Sequence, residues 1–442
     1  MRRTTRVVTT TVAAIALFAV GATMISLRGA GAPTIASFPV GRELPVSTVL
    51  PPGDLPTTIA NLQERLRAFP QDERSAAALG LAFVQQARVT ADPSLYPLAE
   101  LALRRSLTTG GADDPDALVG MGTLALARHE FAEALGWGMR ARTVAPFDAD
   151  VYGVIGDAQI ELGRYREAFR TIQRMVNTRP DLASYARVSY ARELRGDVRG
   201  AVAAMREALR AAGTPTDEAW ASFQLGELAF SGGHVRAAAG WYRWARDLAP
   251  EYVPPSAGLA KVAWAGGDLR MAIARYRHVV ARYPAPEYLI ALADLYRTTG
   301  RRRLAQRTEA LVRAEERLFL TSGVNVDLDL ALFDADHGRS TAALAAAQAE
   351  WRRRQGVQVA DALAWALSQA GRNRAAARIM ERALLLGTRN ALFVFHDAMI
   401  HLRLGERRAA ETLLRRAVEI NPNFSIQYRE PAAALLRRME TS

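Results

Sequence analysis

Along most of this chain, apolar residues recur three and four positions apart in short blocks. They neither alternate nor form long uninterrupted runs, so the period is that of an α-helix. The stretch from Trp220 to Phe230 reads as one helix, and Gly232-Gly233-His234 reads as a turn. Ala237 to Leu248 reads as a second helix, and Pro250 ends it. Ala and Leu dominate throughout and β-branched runs are rare, which predicts an all-α fold.

The helix–turn–helix block repeats. Turn glycines fall at Gly163, Gly196, Gly233, Gly267, Gly300, Gly338, Gly371 and Gly405, 33 to 38 residues apart. Alanines that open a second helix fall at Ala99, Ala134, Ala168, Ala201, Ala238, Ala272, Ala305, Ala343, Ala376 and Ala410. Closing prolines fall at Pro146, Pro180, Pro250, Pro284 and Pro422, close to whole multiples of the same period. A small residue lets two helices approach closely, and a glycine ends the first helix in a left-handed conformation. Proline stops the second.

A unit of this length with Leu225-Gly226, Ala238, Tyr242, Ala245 and Pro250 resembles a tetratricopeptide repeat. Ile155-Gly156, Tyr165, Ala168 and Pro180 vary the pattern, and Gly405, Ala410, Leu414, Ala417 and Pro422 mark the last clear unit. The resemblance covers residues 57–432 and implies a right-handed α-solenoid of about ten hairpins. Its expected departures are an insertion between Arg88 and Tyr96, His129 in place of a turn glycine, and a long second helix from Leu304 to Leu318. A bend in the superhelix is expected after that helix. Residues 433–442 are expected to cap the solenoid. Ala331 to Gly338, Ala360 to Leu367 and Asn421 to Ser425 look similar to stretches in many bacterial tetratricopeptide proteins.

The first 56 residues have a different character. Arg2, Arg3 and Arg6 in a basic tail, residues 1–6, precede Val7 to Leu27, which contain no charge and no proline. About 20 such residues span a bilayer as helix. A single-pass transmembrane signal anchor over 7–27 is therefore expected. The arginines place the N-terminus in the cytoplasm and the solenoid outside it, at a bacterial cell membrane. The competing reading is a signal peptide cleaved near Ala30-Gly31-Ala32, giving a secreted protein; Pro33 and Arg28 weigh against it. Residues 28–56 are rich in Pro and Gly and predict an extended tether.

Composition narrows the chemistry. With no cysteine, the chain has no disulfide, thiolate metal site or cysteine nucleophile. The net charge is +12, carried by arginine, with Lys261 the one lysine. No basic stretch is interleaved with aromatics, so nucleic acid is not an expected partner. No phosphate loop or hydrolase motif occurs, and Gly120-Met121-Gly122 falls inside a repeat helix. No enzyme activity, cofactor or metal is expected. Asp327, Asp329, Asp334, Asp336 and His337 lie at a repeat junction without the spacing of a calcium loop. Asp397 and His401 share a helix face and read as a buried pair, with His396 pointing elsewhere.

In tetratricopeptide proteins, which this chain resembles, the first helices line a concave groove. That implies Tyr190, Glu193, Trp220, Phe223, Glu227, Phe230, Lys261, Trp264, Asp294, Arg297 and Trp365 as groove residues, with Asp157 and Glu161 beside them. Aromatic anchors among charges suit a peptide or protein partner. The tryptophans could equally fill space between helices, and Trp241 and Trp244, on a second helix, are expected to be structural. An alternative function is binding of anionic envelope polymer or lipid through the arginine-rich surface.

Overall fold

The computed structural model describes residues 55–441; the basic tail, the expected membrane span and nearly all of the tether lie outside them. No helix among the described residues is long and apolar enough to cross a membrane. The described residues form α-helices and no strand.

After a lone first helix, α1 (Leu55–Ala68), ten hairpins follow. The first is α2 (Glu73–Thr90) and α3 (Tyr96–Thr109), with a 3-10 turn at Pro93–Leu95 filling the expected insertion. Then come α4 (Pro115–Ala127) with α5 (Phe131–Val144), α6 (Ala149–Glu161) with α7 (Tyr165–Thr178), and α8 (Leu182–Leu194) with α9 (Val198–Arg210). The fifth to seventh are α10 (Pro215–Ser231) with α11 (Val235–Leu248), α12 (Pro254–Ala265) with α13 (Leu269–Arg282), and α14 (Pro286–Thr298) with α15 (Arg302–Thr321). The last three are α16 (Asp327–Asp336) with α17 (Ser340–Arg353), α18 (Val357–Gln369) with α19 (Asn373–Ala383), and α20 (Ala391–Arg403) with α21 (Arg407–Ile420). A closing helix, α22 (Arg429–Glu440), starts four residues before the expected cap.

All ten marker alanines lie in second helices and are at most 2% exposed. Gly163 to Gly405 all adopt positive φ, between 72° and 85°. His129 takes the same left-handed role at φ 61°. Side-chain caps start many helices; Asp181 and Ser184, for example, form a reciprocal capping box at α8.

The two helices of a hairpin are buried differently. In α7 only Tyr165, Ala168, Ile172 and Met175 are buried, one stripe facing its partner. In α6, ten of 13 residues are buried, and in α18, eleven of 13. First helices of successive hairpins also touch one another, which puts them on the inner side of the curve.

The solenoid completes one turn in six hairpins, and its second coil rests on its first. Hairpin two meets the entry to hairpin eight, where the Asn325 N–H donates to the Arg128 carbonyl at 3.2 Å. The His129 Nδ1–H donates to the Asn325 carbonyl at 2.6 Å. The long α15 leads into this contact through the loop that follows it, where a bend was expected. Hairpin three meets the entry to hairpin nine, where the Val357 N–H donates to the Tyr165 hydroxyl at 2.7 Å. Arg354 reaches Glu161 at the same place and also bonds Glu350. Hairpin four meets the entry to hairpin ten, where the Thr388 hydroxyl donates to the Leu194 carbonyl at 2.6 Å.

Turn glycines of the first coil therefore have a second duty. A Cβ on Gly196 would lie 2.4 Å from the Gly387 carbonyl oxygen, whereas one on Gly371, in the second coil, would meet nothing within 4 Å.

Candidate interaction groove

Every candidate groove residue lies on a first helix: Tyr190 and Glu193 on α8, Trp220 to Phe230 on α10, Lys261 and Trp264 on α12, Asp294 and Arg297 on α14, Trp365 on α18. The structure divides them into two groups. In the upper group, the Lys261 ammonium bonds both Glu227 oxygens at 2.6 Å and lies 5.0 Å from the centre of the Phe230 ring. The Tyr242 hydroxyl, from the second helix α11, also donates to Glu227 at 2.7 Å. Phe223 packs edge-on against Tyr252 at 5.9 Å. Trp220, Phe223, Phe230 and Trp264 are buried, while Glu227 and Lys261 remain about a quarter exposed. Tyr190 accepts a 2.7 Å hydrogen bond from Gln358 and belongs to the contact between coils.

The lower group surrounds the end of the chain. Asp294 accepts from Gln427 at 2.6 Å and from His337 at 3.2 Å. Burial opposes the charged form of His337, but Asp294 and the Phe333 carbonyl outweigh it and hold its pKa above the usual value. Trp365, only 1% exposed, donates its indole N–H to Asp336 at 2.7 Å. The Tyr428 hydroxyl donates to the same Asp336 oxygen, also at 2.7 Å. Burial pushes the Asp336 pKa up despite these donors. Arg297 is exposed and pairs with Glu309.

Several expectations about single residues change. Asp157 is bound by Arg187 at 2.7 Å and Glu161 by Arg354, so both carboxylates are held by arginines. Of the two histidines near Asp397, His396 is the buried one, bonded to Asp361 at 2.9 Å and stacked on Trp365 at 4.2 Å. His401 stands 3.4 Å from Asp397 but is about a quarter exposed and also bonds Glu406. Trp244, expected to be structural, is 55% exposed because it faces away from its hairpin partner. Of the junction acids, Asp334 pairs with Arg313 and Asp336 with Trp365 and Tyr428, while the side chains of Asp327 and Asp329 lie outside what the structure describes. Among the described residues no three His, Asp or Glu side chains are placed to hold a metal ion.

Sequence reasoning missed the side chains that meet Trp264, Asp294, Asp336, Trp365 and Phe395 from beyond the tenth hairpin. These are Phe424, Gln427, Tyr428 and Arg429, in the link after hairpin ten and at the start of α22. Their one signal is that Pro422 ends a helix and the next is delayed to Arg429.

The tetratricopeptide repeat family model matches residues 258–302 and 362–423. No curated protein matches the chain. Among solved structures it is similar to TTC0263, a tetratricopeptide protein of Thermus thermophilus, at 21% identity, 43% coverage of this chain, 99% of that one, and TM-score 0.39. It is also similar to the Cut9–Hcn1 hetero-tetramer of the APC/C, at 16% identity, with 87% and 73% coverage and TM-score 0.38. A third similar structure is Pseudomonas aeruginosa pilF, at 16% identity, with 50% and 96% coverage and TM-score 0.36. Over residues 258–302 and 362–423, which take in most of hairpin six, the first helix of hairpin seven, most of hairpin nine and the whole of hairpin ten, the chain carries tetratricopeptide repeats.

Proposed function

We propose that the chain is a non-enzymatic scaffold that binds a peptide or protein partner along the inner wall made by its first helices. Tetratricopeptide-repeat proteins generally mediate protein–protein interactions. The observation that carries the reading is that the inner wall of hairpins six to ten holds a non-repeat segment by side-chain hydrogen bonds and ring contacts. A wall that seats one such segment has the donors, acceptors and aromatic faces to seat others. The uncharged run from Val7 to Leu27 behind Arg2, Arg3 and Arg6 supports a membrane anchor. In this proposal the solenoid lies outside the cytoplasm of a bacterial cell, or is secreted if the segment is cleaved.

The test is affinity capture from detergent-solubilised envelope with the full chain and with Lys261→Ala/Arg297→Ala, which leaves the buried aromatics in place. A protein retained by the first and lost by the second is the expected result. Equal retention by both would move the contact off this wall. Retention of anionic lipid or polymer alone, abolished by salt, would replace this reading with the alternative one.

A further inference from the structure

After the tenth hairpin, which ends at Ile420, a link of eight residues leads into the helix α22. Residues 424–429 run along the inner wall and touch five successive first helices. Phe424 packs on Phe395 of α20 at 5.1 Å between ring centres, and Tyr428 stacks on the same ring at 4.9 Å. Tyr428 meets Trp365 of α18 edge-on at 5.9 Å and bonds Asp336 of α16. Gln427 bonds Asp294 of α14. Arg429 lies over the Trp264 ring of α12 at 5.5 Å and donates to the Ala265 carbonyl at 3.2 Å. Aromatic anchors spaced along a groove, with polar groups fixing orientation, are how such surfaces hold peptides.

The helix that follows adds few buried side chains, with Leu435 and Leu436 partly covered. Of the 12 residues of α22 only Ala432 and Met439 are buried. A cavity of about 590 Å³ remains between it and the wall, lined by Trp365, Phe395, Met399, Leu402 and Leu435. It is a cleft open to solvent, with Arg297, Arg403 and Arg438 also on its rim, and its volume is that of a ligand site.

On the reading that the inner wall binds partners, we infer that residues 424–440 are a resident, displaceable ligand of hairpins six to ten. The outside partner of this stretch is a peptide segment with the same recognition set. That set is two aromatic side chains four residues apart, with an arginine directly after the second. Because the resident segment is tethered, its effective concentration is in the millimolar range, and an outside peptide must compete with it.

The probe is a labelled synthetic peptide of residues 421–442, titrated against the full chain and against full-length Tyr428→Ala/Arg429→Ala. At least tenfold tighter binding to the variant is expected, because its own segment no longer fills the groove. A peptide carrying the same two substitutions should bind neither chain. Equal affinity for both chains, or no binding to either, would overturn the inference. Hydrogen exchange on the unaltered chain tests the same point without a variant. Amides of α22 should exchange faster than those of α20 and α21, through release of the segment. Uniform protection would mark α22 as a fixed cap and overturn the inference. An envelope protein captured equally by native chain and variant would leave the scaffold reading standing and remove this one. Tight peptide binding with no captured protein would do the reverse.

Discussion

Arg354 and Glu161 lie 193 residues apart in sequence and form a buried ion pair where the second coil rests on the first. Arg354 also bonds Glu350 in its own hairpin and lies 4.5 Å over the ring of Phe131. Burial pushes the Glu161 pKa up, and the Arg354 charge opposes that shift. Removing the guanidinium would leave the Glu161 carboxylate without its cation in a dry interface, while Glu350 would keep Arg353. Arg354→Ala should therefore cost about 3–5 kcal/mol, read from the midpoint of urea unfolding. Arg354→Lys should recover only part of this, since an ammonium cannot present a planar fork to both carboxylates.

Gly196 and Gly371 have nearly the same positive φ, so alanine at either position bears a similar left-handed strain. They differ in what a methyl group would meet. The Gly387 carbonyl beside Gly196 is backbone and cannot rotate away. Gly196→Ala should be less stable than Gly371→Ala by about 1–3 kcal/mol, the usual cost of overpacking. Equal melting temperatures would argue against tight contact between the coils.

Tyr165 tests the same interface with one atom. Its hydroxyl accepts the N–H of Val357, the first residue of α18. Tyr165→Phe keeps the packing and leaves that buried N–H without its acceptor. A loss of about 1–3 kcal/mol is expected in thermal or urea unfolding.

His129 makes the structure sensitive to acid. Burial first, and then the charge of Arg354, push its pKa down to about 4. The unfolded value is about 6.5. Above that pH both states carry a neutral ring and the residue adds no pH dependence. Between the two values only the unfolded chain takes up the proton, so stability falls as pH drops from about 6.5 to about 4, by on the order of 3 kcal/mol. His129→Asn tolerates the left-handed backbone and cannot titrate. Its unfolding free energy should therefore slope less steeply with pH across that window.

Much of the architecture was legible because each hairpin is specified locally. Gly163, Ala168 and their counterparts state, unit by unit, where one helix stops and where the next must come close. The same locality explains what was hidden. Whether Glu161 meets Arg354 depends on a small rotation added at each of six hairpins, and no residue encodes that sum. The groove residues were found as positions on first helices but not as environments. Trp365 is covered by His396 on one face and Tyr428 at its edge, and neither neighbour follows from the repeat pattern. Trp244 failed in the opposite sense, because second helices bury one stripe and it lies off that stripe.

The contact between coils also has a consequence in time. In most repeat arrays each unit needs only its neighbours, so a growing chain can settle unit by unit behind the ribosome. Here the acceptor surface of Glu161 and Tyr165 is made long before Arg354 and Val357 exist. At about 5–20 residues per second, the 193 residues between Glu161 and Arg354 take roughly 10–40 s to synthesise. Through that interval the nascent first coil presents an uncovered edge, and a holding factor, or passage across a membrane before folding, would keep it from pairing with the wrong chain.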